Sequence, residues 1–285
     1  MIRTGSLGSA ILTILAVASA CGTRGDLSLG WVEVSTSPTS GVDAAIPDSS
    51  SSPPTGSPCN DVIALPTERF DFSGRGTEIV DRMGGPSGEL LGGATLTGTG
   101  SIELDGEDDY VNLPNGLLST KISATLVVWV SLIDGPAYWR LLDFGMSSGG
   151  EDPTGSTVGT TYVAITTETG LDPSGLALLI GHGGASSEDR ALTDLFLEEP
   201  QVALGVVLDG EAERATLYVD GVNVASTTMT AALSELDDVN NWLGRSQYAA
   251  DPHYPGTYTE LRVYAEALSG CAMATLSEWG PDVVQ

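Results

Sequence analysis

The chain has 285 residues, with 38 Asp plus Glu against 11 Lys plus Arg and a formal net charge of -27. That balance repels a phosphate backbone and disfavours anionic lipid, so it excludes nucleic acid as a partner and any purely electrostatic membrane contact. Gly numbers 36, charged residues are only 17%, and two His with few Lys leave little nucleophile or base chemistry beyond the carboxylates, which is the composition of a turn-rich extracellular β protein of one large or two small domains.

Residues 1–20 read as an export signal. Arg3 supplies the positive start, and the apolar run at residues 11–17 is too short to span a bilayer. Ala18-Ser19-Ala20-Cys21-Gly22 resembles a bacterial lipobox, in which cleavage precedes the Cys and its thiol takes a lipid. Ala18 stands where Leu is usual, and ordinary cleavage after Ala20 would leave Cys21 a free thiol. Residues 21–58 are rich in Ser, Pro and Gly and cannot bury enough apolar surface to offset ordering entropy, so they read as a tether. The expected location is the bacterial cell envelope, lipid-anchored and facing the periplasm or the exterior, with the lipid as the sole membrane contact.

The rest, residues 59–285, reads as one folded domain. Phe70-Asp71-Phe72-Ser73-Gly74 is a turn, with Asp81-Arg82 beyond it. Residues 94–104 predict a strand pair ending at Asp105-Gly106, and residues 108–114 another strand. Residues 123–132, β-branched and apolar around Trp129, suit a central strand. Residues 147–157 form a Gly- and Ser-rich loop. Residues 202–208 are apolar, residues 214–219 alternate, and Asp220-Gly221 predicts a two-residue hairpin turn into residues 222–226. Residues 242–246 form a short strand. After a polar loop, Tyr258, Glu260, Arg262 and Tyr264 alternate with Thr259, Leu261 and Val263, which assigns one set to each face of a strand. Ser269 caps a last helix to residue 279, with Met273, Leu276 and Trp279 on one face. Strands at short spacing with one helix predict an all-β, two-sheet antiparallel sandwich.

Several of these pieces carry a family resemblance. Gly244-Arg245-Ser246, then Gly256, Glu260, Arg262, Tyr264 and Ala267-Leu268-Ser269, resemble the C-terminal signature of concanavalin A-like, laminin-G-like sandwich domains in bacterial secreted proteins, with Thr259 where Asp is usual. The opening Asp71 turn, Asp109-Tyr110-Val111-Asn112-Leu113-Pro114, Trp129-Val130 and Leu217-Tyr218-Val219-Asp220-Gly221 fit the same pattern. The resemblance implies a jelly roll whose first and last strands adjoin. Cys59 and Cys271, near the two ends of the domain, could then meet in a disulfide that would stabilise by about 4–5 kcal/mol on a chain-entropy estimate, free thiols being the alternative.

The sandwich carries lectins, enzymes and spacers alike, so function rests on the site. Glycanases of the superfamily use Glu-x-Asp-x-Glu on one strand face. Glu103, Asp105 and Glu107 have that spacing, but Gly106 turns the chain before Glu107 and removes it from the row, so no catalytic residue is expected. His182 and His253 read as exposed loop residues, too scattered for a zinc site. Many relatives bind structural calcium, and Asp71, Asp105 and Glu260 are the expected ligands here. For ligand binding the loop residues Tyr138, Trp139 and Arg140, and Tyr248, Asp251, His253 and Tyr254, combine flat rings with hydroxyl-binding charges. Trp139 and Tyr254 serve equally well as cover for the sheet edges. The expected function is non-enzymatic binding of a surface glycan or protein partner. A glycan-cleaving enzyme on the same sandwich and a structural protein without a ligand are the alternatives.

Overall fold

The computed structural model describes residues 63–151 and 154–283. The chain divides into the units Met1–Pro54 and Thr55–Gln285, and the described residues all belong to the second. The export signal, Cys21, the tether and Cys59 lie outside the described residues.

Short strands come first: β1 (Glu68–Phe70), β2 (Arg75–Gly76), β3 (Glu78–Ile79), β4 (Gly88–Leu91), β5 (Leu96–Thr97), β6 (Ile102–Glu103) and β7 (Tyr110–Leu113). Longer ones follow: β8 (Ala124–Leu132), β9 (Arg140–Ser147), β10 (Gly159–Thr166), β11 (Ala177–His182), β12 (Glu188–Leu192) and β13 (Glu199–Asp209). The chain closes with β14 (Arg214–Val219), β15 (Val222–Thr228), β16 (Asn240–Leu243), β17 (Thr257–Tyr264) and the helix α1 (Gly270–Trp279).

Two antiparallel sheets stack face to face. One runs β1-β17-β8-β13-β14-β15, with β6 also on β17; the other runs β12-β11-β10-β9-β16-β7-β4-β3. The predicted sandwich is therefore the fold. The first and last strands adjoin, Glu68 opposite Val263 and Phe70 opposite Leu261. Alternation along each strand sends one set of side chains between the sheets: Val128, Val130, Phe144, Val163, Ile165, Leu204, Leu217, Leu261 and Val263 are all buried there. Strand β8 is buried at every position because the core lies on one face and α1 on the other.

The helix is the predicted one. Ser269 Oγ accepts from the Ala272 N–H at 3.1 Å, and Ala272, Met273 and Leu276 pack with Trp129, Val207, Tyr218 and Tyr264. Asp220 and Gly221 have φ of 47° and 76°, the mirror-image turn that suits the twist of a hairpin.

Two predicted elements differ. Residues 94–104 are not a strand pair: β5 pairs with β2 and β6 with β17, so the two pieces never meet. In β17 the strict alternation fails at a bulge between Tyr258 and Glu260, where Tyr258 lies opposite Val130 and Glu260 opposite Trp129. The extra residue, Thr259, turns Tyr258 onto the core face with Leu261 and Val263, whereas Glu260, Arg262 and Tyr264 share the helix-covered face as expected.

Candidate functional site

The second face of the eight-stranded sheet is not covered by a helix. Tyr162, Ala164, Ala177 and Leu179 point outward there, away from the inter-sheet core, and the loop at residues 244–256 lies against them through Tyr248. Small residues make room for the rings. A Cβ on Gly181 would lie 2.4 Å from the Tyr162 ring, and one on Gly159 would lie 2.7 Å from the Tyr248 ring. The two rings meet edge to face at 5.7 Å and their hydroxyls are 3.1 Å apart. Tyr162 also donates to the Glu188 carboxylate. Burial, then that carboxylate, pushes the Tyr162 pKa up, so the ring stays a neutral donor.

Arg140 opens β9 and is only 2% exposed. Its Nε lies 3.6 Å from Asp251 Oδ2 and 3.9 Å from Asp143 Oδ2. Asp143 lies on the outer face of β9, but the loop covers it completely, and the Gln247 N–H donates to its Oδ2 at 3.0 Å. Asp143 Oδ1 has no hydrogen bond. Burial therefore pushes the Asp143 pKa up to about 7, against the opposing pull of Arg140. Burial raises Asp251 too, again opposed by Arg140, while Ser246 Oγ donates to it at 2.7 Å. Tyr138, at a φ of 68°, sets its ring 5.6 Å from the Arg140 guanidinium.

These groups enclose a cleft of about 230 Å³ lined by Tyr138, Arg140, Leu171, Leu179, Ala185, Glu188, Arg190, Tyr248 and Asp251. Donors, acceptors and ring faces converge on it. A larger cavity, about 370 Å³, lies among Ile133, Asp134, Thr167, Glu168, Phe196, Leu197 and Glu198. Its polar side chains are carboxylates with Thr167 as the one side-chain donor, so it is the poorer match to a polyhydroxyl ligand.

Four of the seven predicted ligand residues, Tyr138, Arg140, Tyr248 and Asp251, are brought together in the cleft. Three are not. Tyr254 is fully buried, donates to the Ser131 carbonyl at 2.7 Å, and stacks edge to face with Trp139 at 5.6 Å. Trp139 and Tyr254 are thus core cover, because the sandwich end needs apolar bulk there. His253 lies against Tyr110, ring centroids 6.3 Å apart. It is half-buried rather than exposed, and burial, then Arg245, lowers its pKa. His182 ends β11 rather than lying on a loop tip, with Nε2 2.8 Å from Thr230 Oγ1. The cleft residues that the sequence reading missed are Glu188 and Arg190. Their spacing of two on β12, which puts both on one strand face, was the available signal.

The expected calcium ligands do not converge. Glu260 is fully buried, with Arg69 Nη2 2.7 Å from Oε2 and Arg262 on Oε1, so neither oxygen is open to a cation. Asp71 accepts from Ser73 and pairs with Arg82 at 2.9 Å. Asp105 falls instead beside Asp108 and Asp109, with carboxylate oxygens within 4.8 Å of one another. Backbone donors, first that of Glu107, already hold Asp105 and lower its pKa. The same turn decides the Glu103 row. Gly106 has a φ of 78°, and a Cβ there would press on Pro255 at 2.7 Å, so the chain turns and Glu107 leaves the strand. Cys271 lies exposed in the first turn of α1 and is already partnered.

Comparison with known proteins agrees with this fold. A domain of the extracellular arabinanase AbnA of Geobacillus stearothermophilus, domain 4, solved with arabinotriose, superposes with a TM-score of 0.52 at 19% identity over 75% of this chain and 98% of that one. Trypanosoma rangeli sialidase, solved with 2,3-difluorosialic acid, superposes with a TM-score of 0.55 at 15% identity over 76% of this chain. This chain spans 33% of the sialidase, and identities this low speak to the fold alone. No curated protein sequence matches. The model of the concanavalin A-like lectin/glucanases superfamily matches residues 105–273, more than half of the sequence. The chain belongs to the concanavalin A-like lectin/glucanases superfamily.

Proposed function

We propose that this protein is a lipid-anchored module of the bacterial cell envelope that binds a glycan without cleaving it. The observation that carries the reading is the cleft, where the rings of Tyr138 and Tyr248 converge with two guanidinium groups and two carboxylates. A space of about 230 Å³ suits one or two sugar rings better than a protein surface. Domain 4 of the arabinanase, solved with arabinotriose, is consistent with that choice.

A glycan-cleaving activity draws on one observation, the raised pKa values of Asp143 and Asp251 around a shared arginine. Asp143 is fully buried, however, and cannot touch a substrate. The calcium expectation passes to Asp105, Asp108 and Asp109. Calcium bound there would raise the melting temperature, and Asp108→Asn would abolish that rise. An unchanged melt in calcium and in chelator removes the ion from the reading.

The test of function is a glycan array on the full chain, alongside an assay for released reducing ends. Binding weakened by Tyr248→Ala, with no release, is expected. Release of reducing ends would establish the enzyme. A folded protein that binds nothing would be a structural one.

A further inference from the structure

The charges of the cleft are paired before any ligand arrives. Arg190 Nε lies 2.7 Å from Glu188 Oε2, and Arg140 Nε lies 3.6 Å from Asp251 Oδ2, with Asp143 close behind. Each guanidinium lining the cleft therefore has a carboxylate of this chain beside it, and the lining carries no net charge. Nε and Nη1 of Arg140 are buried without a hydrogen bond, so Arg140 balances charge from behind the surface, whereas the Arg190 side chain is 36% exposed. Charge is balanced at both arginines, and Arg190 is the one whose remaining donors can meet a ligand. Around the cleft, a chain of formal charge -27 sets a potential that opposes anions.

Resting on the glycan reading above, we infer that this cleft selects uncharged sugars and rejects sugars that carry a carboxylate or sulfate. An acidic sugar is normally held by an arginine free to meet it in bidentate fashion. Here such a group would have to displace Asp251 or Glu188 and would leave two like charges side by side in a partly buried site. A hydroxyl faces no such conflict. It donates and accepts at once, so one hydroxyl can bridge a guanidinium N–H and the neighbouring carboxylate. The apolar floor, Leu179 with the rings of Tyr138 and Tyr248, suits the C–H face of an uncharged sugar ring.

The experiment compares the full chain on matched oligosaccharides, neutral hexose oligomers and the same backbones as uronates, at low and physiological salt. Neutral oligomers should bind at least about tenfold tighter, the difference shrinking as salt screens the chain's charge. Glu188→Gln keeps an acceptor for Tyr162 and unbalances Arg190, so it should raise uronate affinity relative to neutral affinity by about tenfold. Uronates bound as tightly as neutral oligomers by the unaltered chain, or no relative gain in Glu188→Gln, would overturn the charge selection and leave the glycan reading in place. Binding of neither set by a chain shown to be folded would overturn the glycan reading, and the selection with it.

Discussion

Asp143 is a carboxylate that burial holds far from its ordinary state. Its folded pKa, about 7, stands above the ordinary aspartate value of 3.8, so between those values the folded chain holds a proton that the unfolded chain has lost. Stability from this group therefore falls as pH rises from about 4 to about 7 and is level above that, by at most about 4 kcal/mol. Asp251 shifts the same way. We expect Asp143→Asn, which keeps an acceptor for the Gln247 N–H, to melt higher than the parent at pH 8 and alike at pH 4. Parallel pH profiles for the two would refute it. The rings separate in the same manner. Tyr254→Ala should cost about 3–5 kcal/mol, because it empties a fully buried site beside Trp139 and Tyr258. Tyr248→Ala, at a half-buried position, should cost under about 2 kcal/mol and weaken ligand binding instead. Denaturant melts beside binding curves tell these apart; equal melting losses would make Tyr248 a packing residue.

At the scale of elements, the hairpin and the helix depend on each other. Gly221 holds the turn between β14 and β15 at a φ of 76°, and a Cβ there would meet Ala274 Cα at 2.5 Å. Gly221→Ala thus strains the turn and pushes α1 off the sheet, for a loss well above about 1 kcal/mol. Ser269→Ala removes the cap to the Ala272 N–H, for about 1 kcal/mol. Thermal melts should rank Gly221→Ala as the more damaging; the reverse order would mean that α1 does not bear on the turn. The bulge in β17 acts at the same scale. By moving Tyr258 into the core it lets the Tyr258 hydroxyl reach the Leu141 carbonyl at 2.7 Å, which ties β17 to the start of β9 and so to Arg140.

For the whole molecule, the adjoining first and last strands are held by Glu260. Arg69 reaches it from β1, Arg262 from within β17, and the Asp282 N–H from beyond α1 at 3.1 Å. Removing that carboxylate leaves two guanidinium groups with only the exposed Asp282 carboxylate, 3.7 Å from Arg69, so Glu260→Gln should destabilise by about 3–5 kcal/mol. A melt within a degree of the parent would contradict this. The same closure brings the two ends of the domain together, which is the arrangement that a Cys59–Cys271 bond needs. Peptide mapping without reductant should recover that pair. Alkylation of both thiols in the native chain would count against it. Phase partitioning of Cys21→Ser against the parent checks the anchor, with release of the variant from the membrane expected.

The local signals were legible because they are properties of a few neighbouring residues. Asp220-Gly221 specifies its turn through positive φ, Ser269 specifies a helix start through one hydrogen bond, and residues 123–132 specify a central strand through unbroken apolar, β-branched character. Gly106 likewise takes Glu107 out of a row with Glu103 through its own positive φ. What the tertiary structure alone decided was which side of a surface each loop residue faces. Tyr248 and Tyr254 are six residues apart in one loop, with the same ring and hydroxyl, yet one meets Tyr162 in the cleft and the other meets Trp139 in the core. Glu260 reads as a calcium ligand in sequence and becomes the partner of two arginines only when β1 is laid against β17. Arg140, the Glu188 and Arg190 pair, and Asp251 come from three separate segments, so no periodicity could have joined all four. Their charges balance only because the sheet and the loop set them within a few ångströms of one another, and coulombic pairing depends on distance in space, which the order of residues along a strand does not encode.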